Sequence, residues 1–127
     1  MAVGISSYSA NAFFNALGNN TSFAVAQAYI QLHTADPGSA GTTAVATETT
    51  RKSVSFGAAS GGAISNDADI SWSNINGSQD ATHFTLWDAS SNGNFLGSGT
   101  ITANAYTAGD TYTIPSGDLD LSLTIAS

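Results

Sequence analysis

The sequence predicts a mainly β fold: an antiparallel β-sandwich, jelly-roll-like or immunoglobulin-like, with a short N-terminal helix. Three observations carry this. Apolar and polar side chains alternate in several short runs, most regularly over residues 119–125, where Leu119, Leu121, Leu123 and Ile125 face one way. Turn signals separate the runs, among them Asp36-Pro37-Gly38, Gly61-Gly62, Asn76-Gly77 and the SSNGN stretch at 90–94. No repeated βα unit is visible, so hairpins should join the strands, and two sheets packed face to face would bury both apolar faces. The 127 residues fit one domain, with residues 1–20 as a helical arm.

The elements follow in order. Residues 6–17, SSYSANAFFNAL, read as a helix with Ser6 or Ser7 accepting the free amides of its first turn. Tyr8, Ala12, Phe13, Phe14 and Leu17 form its apolar stripe. Gly18 with Asn19-Asn20 ends it, with a left-handed residue expected at the C-cap. At about three turns it needs a surface to pack on, its own domain or a neighbouring subunit.

Residues 25–34 read as the first strand, with Ala28, Ile30 and Leu32 alternating with Tyr29, Gln31 and His33. Residues 38–50 hold only small or polar side chains and make a poor core element. A second strand spans 51–58, with Val54 and Phe56 inward. Short strands follow in 63–70 and 71–75. Residues 81–88 put Phe84 and Leu86 on one face, with His83, Thr85 and Trp87 on the other. The return strand starts at Phe95, where Gly97 and Gly99 mark a bulge or a close backbone approach. Residues 104–109 read as loop, 111–114 as a short strand, and 119–125 as the last strand.

Composition excludes several functions. Nine acidic residues stand against two basic ones, Arg51 and Lys52, for a net charge of −7. One basic pair cannot track a phosphate backbone, so nucleic acid is not an expected partner. An anionic membrane is disfavoured for the same reason. Cysteine is absent, which removes disulfides, thiol catalysis and cysteine-based metal sites. No signal peptide or membrane-spanning segment is expected.

No catalytic residue and no cofactor emerge. His33 and His83 lie opposite the main core set, outside any HExxH or HxH pattern, and read as surface or interface residues. Asp67 with Asp69, and Asp118 with Asp120, have the spacing to share a cation, but turn and solubility roles suffice. Asp88, Ser90, Asn92 and Gly93 match the start of a calcium loop, then Leu96 and Gly99 break the pattern. Asp88 and Asn92 are thus weak metal candidates in what reads as a hairpin turn. GAASGG at 57–62 lacks the Lys-Ser/Thr of a phosphate loop. Trp72, Trp87, Tyr29, Tyr106 and Tyr112 are flat aromatics of the sugar-stacking kind, with core or interface positions as the stronger reading.

Five segments together resemble a known group: YSANAFFNALGN at 8–19, YIQLHTADPGSAG at 29–41, RKSVSFGAASGG at 51–62, HFTLWDASSNGNFLGSG at 83–99 and AGDTYTIPSGDLDLSL at 108–123. They resemble small bacteriophage virion structural proteins of the minor tail, fibre-related or head-decoration type. The resemblance implies a virion location, a β-sandwich and a multimeric assembly contacting other virion proteins and copies of itself. It implies no enzyme activity. A chain rich in small polar residues suits such work, because burying Ser or Thr costs less than burying Lys or Glu. Tyr8, Phe13, Phe14, Leu17 and Trp87 are the expected interface residues. The alternative is a carbohydrate or host-surface binding module of a tail, with Trp72 and Trp87 as the sugar contacts.

Overall fold

Alternating side chains over residues 28–33 build the strand around which the rest assembles. The computed structural model describes residues 3–126. Helix α1 spans Ser7–Gly18, and eight strands follow among the described residues: β1 Ala28–His33, β2 Lys52–Val54, β3 Ala63–Ser65, β4 Ile70–Trp72, β5 Gln79–Trp87, β6 Phe95–Tyr106, β7 Tyr112–Ile114 and β8 Asp120–Ser122. A four-stranded sheet has the order β2-β1-β5-β6, and β3-β8 and β4-β7 form two-stranded ribbons. Every ladder is antiparallel. The protein is therefore mainly antiparallel β with one short helix.

One apolar cluster joins the sheet to both ribbons. Ile30, Leu32 and Phe84 from the sheet meet Trp72 and Ile114 from one ribbon and Leu121 from the other, together with Leu119 beside it. Each such aliphatic or aromatic side chain contributes about 1.5–3 kcal/mol when fully buried. Trp72 donates its indole N–H to Thr50 O at 2.9 Å, so its one polar atom is satisfied inside.

The glycines of β6 answer to close packing. A Cβ on Gly99 would lie 2.6 Å from the Phe84 ring, and one on Gly97 would lie 3.1 Å from Gly4 O. Register also slips between Leu86↔Gly97 and Trp87↔Phe95, a bulge that leaves Leu96 as the extra residue. Asn66 clamps the two ribbons. It is buried, and its side-chain oxygen accepts from the amides of Gly117 and Leu119, both at 3.0 Å. Its side-chain nitrogen donates to Ala68 O at 2.9 Å and Pro115 O at 3.1 Å. All four of its bonds are thus made inside.

Several sequence expectations need correction. Gly18 is the last helical residue rather than the cap; Asn19 caps, its amide donating to Asn15 O, and Asn20 takes the left-handed turn at φ 52°. Residues 38–50 do enter the structure. Val45 bridges His33, Ala46 N donates to Leu32 O, and Ala46 and Glu48 are buried. Backbone pairing holds this segment, which side-chain pattern does not reveal. β6 runs on to Tyr106 through residues read as loop, because pairing with Gln79 and Asp80 needs only its backbone. The last strand is shorter than the alternation implied. Leu119 and Leu121 are buried, while Leu123 and Ile125 pass beyond the core and are exposed.

Asn66→Ala is expected to lower unfolding free energy by about 3 kcal/mol, since it strands buried amides and carbonyls. Gly99→Ala should cost about 1–3 kcal/mol through overpacking against Phe84. Urea denaturation at neutral pH measures both, and a wild-type midpoint in either variant would contradict the packing described.

Candidate functional site

The expected interface residues fall into two groups. Of the α1 residues only Ser9 is buried, and its hydroxyl donates to Leu96 O at 2.8 Å. Tyr8, Phe13, Phe14 and Leu17 are 44%, 47%, 63% and 71% exposed. The apolar stripe therefore does not face the core. Phe13 and Phe14 meet edge to face at 5.4 Å, and Tyr8 meets Phe23 likewise at 6.2 Å. Phe13, Phe14 and Phe23 face Ile5, Leu123 and Ile125 across a groove of about 460 Å³. A second hollow, about 260 Å³, continues it past Gly62, Ile64 and Leu121.

This groove is built from both ends of the chain. The alternation of the last strand carries Leu123 and Ile125 off the core and into the groove wall. A Cβ on Gly62 would lie 2.5 Å from Ile125 Cγ2, so glycine admits this approach. Sequence reasoning did not single out Ile5, Phe23, Leu123 or Ile125, which line this groove. For the last two, the signal was present as a greasy row longer than a core of this size needs.

Trp87 belongs elsewhere. It is 7% exposed, with the Arg51 guanidinium 4.0 Å above its ring and Phe95 packed at 5.4 Å. Arg51 also donates to Ala89 O at 2.9 Å and Asn92 O at 2.6 Å, tying the hairpin loop down over the indole. Trp87 is thus held within its own chain. Trp72 is 1% exposed in the core. Neither tryptophan presents a free ring face on which a sugar would stack.

His33 is also inside. It is fully buried, contrary to the surface position read from alternation, because residues 37–43 cover that end of the sheet. Its Nδ1 lies 2.8 Å from Thr43 O, an atom that only accepts, so Nδ1 carries the proton. Nε2 then accepts from the Thr85 hydroxyl at 2.9 Å, and Thr85 Oγ1 accepts from the Trp87 indole at 2.7 Å. The chain of bonds runs one way, from Trp87 through Thr85 and His33 to Thr43. Half-buried His83 sits beside His33 in register and bonds Thr82 Oγ1 at 2.8 Å.

The weak metal candidates are engaged in turn structure. Asp88 accepts from the amide of Asn94 at 2.7 Å and from its side chain at 2.9 Å, and these bonds hold its carboxyl below the ordinary value. Asn92 has φ 57° and its carbonyl faces Arg51. Asp67 bonds Ser55, Asp120 bonds Ser65, and Asp69 accepts from Ser116 N at 2.9 Å. Asp118 accepts from Thr102 at 3.4 Å. Among the described residues no three His, Asp or Glu side chains converge as a metal site. Glu48 was missed by sequence. Burial raises its pKa, but the amides of Asn76 and Thr50, with the Lys52 charge, outweigh this and hold it low.

An antiparallel β body that turns five of its large exposed apolar side chains, Phe13, Phe14, Phe23, Leu123 and Ile125, into one open groove is the build of a structural subunit working through contacts. The chain belongs to the family described as podophage GP4 fiber I protein gp80, which matches residues 4–122. It is accordingly a non-enzymatic structural component of a bacteriophage virion. No curated protein matches it.

Burial is the main cause that lowers the His33 pKa below 6.5; the Thr43 carbonyl opposes it, and His83 adds to the lowering. The unfolded chain therefore takes up a proton that the folded chain refuses. Stability tied to His33 is whole above pH 6.5 and is lost as pH falls from there towards the lowered folded value. Denaturation between about pH 7 and 5, above the carboxylate range, is expected to show that loss. In His33→Gln the slope over this window should flatten; an unchanged slope would assign it to another group.

Proposed function

We propose that the protein is a repeating subunit of a phage fibre, held to copies of itself and to other virion proteins through the apolar face of α1. The carrying observation is the exposure of Phe13, Phe14 and Leu17 on a helix that buries only Ser9. Each is already about a third to a half covered, so covering what remains is worth about 1–2 kcal/mol per side chain. Tyr8 adds an aromatic ring with a polar tip, a common interface residue.

Charge placement supports self-association. Copies of a chain with net charge −7 repel one another over most of their surface. The first 35 residues carry no Asp, Glu, Lys or Arg, and neither do the last seven. The groove between those segments is where two copies meet at least electrostatic cost. The fiber description of the family favours a fibre over a capsid-decorating position.

The architecture fits this reading as a single β-sandwich domain with residues 1–20 as its arm. In this reading the four-stranded sheet forms one layer and the β3-β8 and β4-β7 ribbons the other; the apolar cluster shared by all three supports it. The sugar-binding alternative gains no support, since both tryptophans it invoked are covered.

Phe14→Asp combined with Leu17→Asp puts two charges on the face without touching the core. Monomer stability should stay within about 0.5 kcal/mol of wild type. Self-association, followed by light scattering across a dilution series, should weaken about thirtyfold or more. An unaltered mass distribution would place the contact elsewhere.

A further inference from the structure

The N-terminal arm is attached in a way that reads almost no sequence. Residues 4–6 lie antiparallel to β6, with Ile5 opposite Gly97. Ser98 N donates to Gly4 O at 2.8 Å and Ser6 N donates to Leu96 O at 3.0 Å. Gly4 N donates to Ser98 Oγ at 3.2 Å, and the Ser9 hydroxyl adds its bond to Leu96 O. β6 is an edge strand of the four-stranded sheet, so the arm covers backbone groups that would otherwise lie open.

Past Ser9 the attachment thins out. Residues 13–27 are all exposed, and residues 19–27 contain neither helix nor strand before β1 begins. A linker of nine residues spans up to about 30 Å when extended. The bonds that seat the arm come from backbone groups and two serines, and the arm of another copy makes the same set. What the closed arrangement leaves unsatisfied is the apolar stripe of α1.

We propose that copies of this chain exchange N-terminal arms, residues 3–18 of one seating on β6 of the next. The occupant is identified by the structure, which shows this very segment fitted to that edge. Exchange keeps every hydrogen bond of the closed form and places α1 between two bodies: the one whose β6 it sits on, which leaves the stripe open as before, and its own, which the nine-residue linker brings against the stripe to cover it. The energetic difference between the two forms is then that added burial less the cost of association. Passed on in one direction, the exchange links subunits into an open run, as a fibre requires. This rests on the reading that the chain self-associates through α1.

The test uses the absence of cysteine. Ile5 and Gly97 form the non-hydrogen-bonded kind of antiparallel pair, since the bonds flank them at Ser6 and Ser98. Such Cα atoms lie about 4.5 Å apart, within disulfide reach. The full chain carrying Ile5→Cys and Gly97→Cys is oxidised and run on a denaturing gel without reductant. Exchange yields covalent dimers or longer ladders. A bond closed within one chain, or two free thiols, overturns it.

A Cβ at position 97 is tight against Gly4 O, so the unaltered chain is measured as well. In a mixture of differently isotope-labelled chains, unfolded and refolded together, exchange gives nuclear Overhauser contacts between Ile5 of one label and Gly97 of the other. Contacts confined to one label overturn the proposal, and this measurement decides if the two differ. Light scattering separates the failures. Association with the Ile5–Gly97 contact kept inside each chain sinks exchange and leaves α1 docking standing. A monomer at every concentration sinks both.

Discussion

β1 and β5 are registered from Tyr29↔Trp87 to His33↔His83, and the other elements take their places from that ladder. Antiparallel pairing sends alternate side chains to opposite faces, so this one register decides both faces at once. On one face it lines up Ile30, Leu32, Phe84 and Leu86 for the apolar core. On the other it sets His33, Thr85 and Trp87 side by side, close enough to bond in sequence. A slip of one residue would put the imidazole into the core and the leucines under the polar loop. Burial of both faces makes that slip prohibitive.

The parts of this design written as periodicity were legible, and the parts written as backbone geometry were not. Strands β1 and β5 announce themselves by alternation, and the glycines at 97 and 99 announce close packing. Val45, Ala46 and Glu48 announce nothing, because their segment is held by backbone bonds such as Ala46 N to Leu32 O and by scattered side-chain bonds, the Glu48 carboxylate with the Asn76 and Thr50 amides among them, none of which leaves a periodic trace. The same holds for the far end of β6. Asn66 looked like one polar residue among many, yet three side-chain bonds to a chain segment about fifty residues away depend on it. His33 was misplaced because alternation tells which face a residue takes, not whether a loop later covers that face.

The candidate surface was half visible. Tyr8, Phe13, Phe14 and Leu17 stood out as a stripe, and a short helix requires a surface to lie on. Only the fold shows that its own body supplies very little of one. Trp87 looked like a companion to that stripe but is enclosed by Arg51, one of the two basic residues in the chain. Half the cationic charge of the protein is thus spent over one indole, which leaves the remaining contact surface neutral or acidic.

That distribution of charge has a consequence for how contacts at the arm respond to their surroundings. An interface assembled from phenylalanine, leucine and backbone amides has no ion atmosphere to shed. Its strength is set by water's reluctance to wet hydrocarbon, which falls in the cold and is reinforced by strongly hydrated salts. Screening by dissolved ions then acts only on the repulsion between acidic bodies. A particle carrying such joints would hold together in brine at least as well as in dilute buffer, and chilling would loosen it.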